Sequence, residues 1–213
     1  MKRTVACAVL CVFALSLVSL AADSRAVSAK PRGGKAAHES KTPASVPIFR
    51  NLASSKNLYW CCNGYLVAGS GNPYGYPPYQ EAIQFTTTTA TKVHAFRTEV
   101  AYVIQGSAST FNMTLQTDAG GIPSGTVVAG PVEMSVDSQV FGGCCSSMTG
   151  KVTTTALPAG TYWAVWAADS GSDLVAEVNV QDRDEVDAAN VAFFDGTNWN
   201  PYQSTQSFAV TVK

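Results

Sequence analysis

Charge is scarce in this chain, with only 14% of its 213 residues being Asp, Glu, Lys or Arg, where soluble domains usually carry about a quarter. Fourteen Lys+Arg against fifteen Asp+Glu leave a formal charge of −1, which excludes a nucleic-acid binder that works by bulk positive charge. Histidine is scarcer still, with two in the whole chain, of which His38 lies in an amino-terminal arm. A His-rich zinc or copper site therefore cannot be built around His94 alone. No G-x-S-x-G elbow occurs, so the commonest hydrolase nucleophile signature is missing. No window of a dozen residues carries a helical period, which excludes a coiled coil. An apolar content of 46% excludes a wholly disordered chain.

Long apolar runs are also missing, apart from residues 5–20. Lys2 and Arg3 precede that run, and small residues at Ser19, Ala21, Ala22 and Ala26 follow it, the layout of a secretory signal peptide. At about 16 residues it falls short of a bilayer-spanning helix. The reading is a signal over 1–26, a flexible basic linker over 27–47 and a folded domain over 48–213, with no membrane span after signal removal. The linker is rich in Ala, Ser, Lys, Gly and Pro and has almost nothing to bury. Residues 48–213 hold seven Lys+Arg and thirteen Asp+Glu, a formal charge of −6. An acidic domain thus follows a basic arm and makes a poor partner for nucleic acid.

The body of the chain reads as short strands. Phe111, Met113, Leu115 and Thr117 alternate with polar neighbours, the period of a half-buried antiparallel strand. Leu174, Ala176, Val178 and Val180 repeat the pattern, and Phe208, Val210 and Val212 close it. Residues 160–168 (GTYWAVWAA) are apolar on both faces and predict a central strand. β-branching predicts strands over 85–91, over 91–103 with His94 as an ordinary strand residue, and over 152–155. Turn-formers separate these runs, and Asp195-Gly196 between two of them predicts a hairpin. The expected fold is all-β, an antiparallel β-sandwich of the jelly-roll kind.

Four cysteines remain after signal removal, as two adjacent pairs, Cys61-Cys62 and Cys144-Cys145. In an exported chain an even count points to disulfides. Adjacent Cα atoms sit too close for an unstrained vicinal bridge, so bridges between the pairs are favoured. An antiparallel register would couple Cys61 with Cys145 and Cys62 with Cys144. Such a tie closes a loop of about 82 residues, a stabilisation of about 4.5 kcal/mol for the first bridge. The C-C spacing does not suit a four-thiolate zinc site.

Candidate chemistry lies in the loops. Residues 72–80 (NPYGYPPYQ) set Tyr74, Tyr76 and Tyr79 on stiff Pro- and Gly-punctuated backbone, and Trp199-Asn-Pro-Tyr202 offers a second aromatic loop. Aromatic faces beside amides and carboxylates suit a glycan or a cell-surface protein as partner. Asp169 and Asp173 bracket a glycine turn that could offer oxygens to calcium, although they lack the remaining ligands of a calcium loop. The acids of 181–187 read as a solvated loop.

Residues 111–125 (FNMTLQTDAGGIPSG), 157–166 (LPAGTYWAVW), 195–199 and 207–212 resemble the secreted bacterial domain called choice-of-anchor R. They also resemble a broader set of exported jelly-roll modules. The resemblance implies an extracellular β-sandwich, carries no catalytic residue, and often accompanies surface tethering. The chain ends directly after its last strand, which departs from the anchored pattern. The functional expectation is a secreted, non-enzymatic module binding a surface ligand through its aromatic loops, outside the cell, in the periplasm or at the cell surface. Two alternatives stand beside it: a glycan-active hydrolase using paired carboxylates at about 5–10 Å, and a structural subunit of a surface or matrix.

Overall fold

A computed structural model describes residues 48–51, 59–105, 110–135, 146–181, 189–204 and 210–212. The signal and linker, Cys144, Cys145 and most of the 181–187 acidic run lie outside the described residues. The disulfide expectation therefore lies there too.

Among the described residues there are strands and no helix, and hence no helix long and apolar enough to cross a membrane. The strands are β1 Phe49–Arg50, β2 Tyr59–Ala68, β3 Gln80–Thr87, β4 Thr91–Gln105, β5 Thr110–Asp118 and β6 Pro123–Ser135. They continue as β7 Ser146–Leu157, β8 Gly160–Ala168, β9 Val175–Gln181, β10 Ala189–Phe194, β11 Trp199–Ser204 and β12 Val210–Val212. One sheet has the order β11-β10-β3-β8-β5-β6. The other joins β1-β12-β4-β9-β2, with β7 also on β4, and all the pairings are antiparallel.

The two sheets share one core, as an antiparallel sandwich must. Ile83, Phe85, Met113, Leu115, Ala164 and Trp166 of the first sheet meet Val67, Phe96, Leu174, Ala176, Val178 and Val212 of the second. The Trp166 indole donates across the layers to the Thr98 hydroxyl at 3.1 Å, giving a buried polar atom the partner it needs. The Phe49 and Phe85 rings stack at 5.2 Å between sheets. β8 is the expected central strand, with residues 162–166 buried on both faces. Its alternate residues Trp163 and Val165 form a second cluster with Ala82 and Ala192, to which Trp199 adds. Met113 and Leu115 sit in the core on β5, and Leu174, Ala176 and Val178 at and along β9, as the alternation predicted.

One strand differs from expectation. The run of threonines predicted a strand over 85–91, whereas β3 begins at Gln80 and ends at Thr87, with 88–90 as the connection to β4. β-Branching alone could not place that boundary, because Leu157-Pro158-Ala159-Gly160 turns the partner strand at the same level and ends the ladder at Thr87–Gly160.

Candidate functional site

Three connections meet at one end of the sandwich: 69–79 between β2 and β3, 169–174 between β8 and β9, and 195–198 between β10 and β11. Backbone hydrogen bonds join the first two, Gly69 N–H to Leu174 C=O and Gly71 N–H to Ser172 C=O, both at 2.9 Å. The third fits against the first at Gly196, where a Cβ would lie 2.7 Å from the Pro77 Cβ. Gly196 has φ +95°, a conformation open to glycine at little cost. Asp195 holds that hairpin as expected of an Asp-Gly turn, its carboxylate accepting from the Thr197 and Asn198 amides at 2.9 and 2.8 Å. Hydrogen bonds from Asn198, Asn200 and Thr197 keep the Asp195 carboxyl below its ordinary value, so it is ionised at neutral pH.

The tyrosine loop is organised by a residue the sequence reading passed over. Asn72 is buried and uses both ends of its amide. Its Nδ2 donates to the Gly69 and Tyr76 carbonyls, each at 2.7 Å. Its Oδ1 accepts from the Tyr74 N–H at 3.1 Å and the Tyr76 N–H at 3.0 Å. Four bonds from one side chain fold the segment into a closed turn, the local bonding at which Asn excels.

On that turn the rings form a row. Tyr74 and Tyr76 lie 5.7 Å apart between centroids, Tyr76 and Tyr79 6.0 Å, and Tyr79 and Phe193 4.9 Å. These spacings are those of interacting aromatic pairs. Burial, and then the neighbouring phenols of Tyr74 and Tyr79, raise the Tyr76 hydroxyl above its ordinary value. Tyr74 stands at the outer end of the row and is 50% exposed, one of two large apolar side chains so exposed among the described residues. Beside the row lies a cleft of about 300 Å³ lined by Gly69, Ser70, Pro78, Gln80, Asp169 and Ser170.

The second aromatic loop does not join the first as a unit. Trp199 packs against Phe194 at 5.4 Å and the Ala82–Trp163 cluster, on the far face of its sheet. Tyr202 lies on β11 rather than in a loop, faces the core and packs against Tyr65 at 5.9 Å. Residues three apart on a strand point to opposite faces, so these two rings could not both serve one surface. Asp169 accepts a hydrogen bond from the Asn112 amide. Among the described residues no group of three or more His, Cys, Asp or Glu is placed to hold a metal ion. His94 is an exposed residue of β4.

Glu81 was also invisible to pattern reading. It lies on β3, directly across from Trp166 on one side and Phe193 on the other. Its side chain therefore shares the core-facing side with Trp166, beneath the Phe193–Tyr79 end of the ring row. It is fully buried, and neither carboxyl oxygen has a hydrogen-bond partner. Burial pushes its carboxyl well above the ordinary range, because an unpartnered charge there would lie in the low-dielectric core, so the neutral form is favoured.

A second acid, Glu177, is raised to about 7 by burial. It lies on the outer face of β9, since Ala176 and Val178 face the core. Glu99 shares that outer side on β4 and pairs with Arg97 at 3.6 Å. No protein family matches this chain, and neither a curated protein nor a solved structure matches it.

Proposed function

We propose that this chain is an exported, non-enzymatic β-sandwich that binds a glycan through the tyrosine loop at one end of the sandwich. The observation that carries the reading is the row Tyr74–Tyr76–Tyr79, fixed by the four hydrogen bonds of Asn72 and ending in a half-exposed ring. Flat sugar faces stack on such rings, and a preformed turn spares the ordering cost of binding. Export accords with the signal-like amino terminus and with the resemblance to secreted modules. The test is titration of a glycan panel while following tyrosine and tryptophan fluorescence. Binding that weakens at least tenfold in Tyr74→Ala supports the reading, and no response to any glycan defeats it.

A second reading, hydrolysis of a glycan by paired carboxylates, draws on Glu177 and Glu99. An acid held at about 7 can give up a proton at neutral pH, and the ion-paired Glu99 on the same face supplies a negative partner. Incubation with the same panel and chromatography of the products tests it. Cleavage that is lost in Glu177→Gln favours it, and intact glycans exclude it.

A further inference from the structure

The end of the sandwich that carries the tyrosine row has an electrostatic character its composition makes plain. The three connections 69–79, 169–174 and 195–198 contain no Lys, Arg or His, yet they contain Asp169, Asp173 and Asp195. Glu81 lies beneath them on β3. Three acids with no base in these loops are what a cationic ligand would meet on approach.

Glu81 adds a second, independent sign. A fully buried carboxyl with both oxygens unpartnered costs stability, and such groups ask for an explanation. Its cross-strand neighbours are aromatic on both sides, Trp166 and Phe193, with Tyr79 packed on Phe193. A ring row over an unpartnered carboxyl is the combination that stabilises an ammonium group. The ring faces attract the charge, and Glu81, which burial alone favours as the neutral acid, can release its proton to solvent as the ammonium arrives and so become the counter-ion. A neutral sugar would gain from the rings but leave the carboxyl as it is.

We propose that this end binds an amine-bearing glycan, with the ammonium groups of glucosamine-type units seated against the Tyr74–Tyr76–Tyr79–Phe193 row and drawn toward Glu81. The inference rests on the glycan reading above and names its ligand class. Four rings in successive contact offer several flat stacking faces, which suit a chain of flat sugar rings better than the flexible aliphatic side chains of a basic peptide.

The experiment compares four probes on the wild-type full chain by calorimetry at fixed ionic strength: a β-1,4-glucosamine hexamer, its fully N-acetylated counterpart, cellohexaose and tetralysine. The glucosamine hexamer is expected to bind at least tenfold more tightly than either neutral hexamer and than tetralysine. In Glu81→Gln, which keeps a neutral side chain of the same shape and whose folding is checked by circular dichroism, that preference should fall about tenfold. Equal binding of the three hexamers overturns the inference while leaving the glycan reading in place. So does an unchanged preference in Glu81→Gln. Tetralysine binding as tightly as the glucosamine hexamer overturns the choice of a saccharide, and no binding by any hexamer defeats both proposals.

Discussion

Replacing Asn72 by Ala removes four hydrogen bonds in a single step. Each is worth about 1 kcal/mol net, so the loop should lose about 2–4 kcal/mol of its local stability. The loss is confined to 69–79, because the β2–β9 and β3–β8 ladders on either side draw nothing from Asn72. Global unfolding by urea should therefore move little, while the Tyr74 and Tyr76 amides, which donate to Asn72 Oδ1, open more often. Amide hydrogen exchange reads this directly. At 1.4 kcal/mol per tenfold, exchange at those two amides should accelerate about 30- to 700-fold. Strand amides of β3 and β8 should stay within a few-fold of wild type. Asn72→Asp keeps the acceptor and loses both donors, so it should fall between. Equal exchange at Tyr74 and Tyr76 in wild type and variant would falsify the idea that Asn72 fixes the row.

The buried acids predict a stability that declines with pH. Glu177 is neutral in the fold up to about 7 and ionised in the unfolded chain above about 4.5, so the stability it contributes is fully present below 4.5 and lost by about 7, a change of about 3 kcal/mol. In Glu177→Gln the difference in urea stability between pH 4.5 and pH 8 should shrink by about that amount, and an unchanged slope would count against the burial. Glu81 acts in the same direction: Glu81→Gln should flatten the decline further and gain on wild type at pH 8, whereas Glu81→Lys should fail to fold or unfold far more readily. Gly150→Ala should cost about 1–3 kcal/mol by overpacking, because its Cβ would lie 2.2 Å from Val132 Cγ1 where β6 and β7 approach; a neutral result would mean the sheets give way there.

The sequence made the fold legible wherever polarity and burial agree. β8 reads as central because both of its faces are apolar, and β5 and β9 read correctly because their alternation matches one buried face. Legibility failed where the two part company. β3 starts at Gln80-Glu81, and an acid at a core position hides a strand from any hydrophobic pattern. β6 contains Gly125, Gly130 and Pro131, residues that usually break strands. It persists because it is the edge of its sheet, where a missing N–H is harmless and the register shifts along β5 absorb the irregularity.

The candidate site shows the same split. Proline and glycine spacing pointed to Tyr74, Tyr76 and Tyr79, and these rings do come together. Trp199 and Tyr202 looked equivalent in sequence, but strand alternation sends them to opposite faces. Asn72 could have been suspected from its place before Pro73 at the start of the loop. Glu81 carried no such signal.

Amide and side-chain chemical shifts of the labelled protein, recorded during titration with the β-1,4-glucosamine hexamer, place the contact surface most directly. Shifts should concentrate in residues 69–80, 169–174 and 193–198, with the Tyr74 ring moving most. Shifts confined to β4, β7 and the outer face of β9, or scattered evenly over both sheets, would contradict a binding role for the tyrosine end.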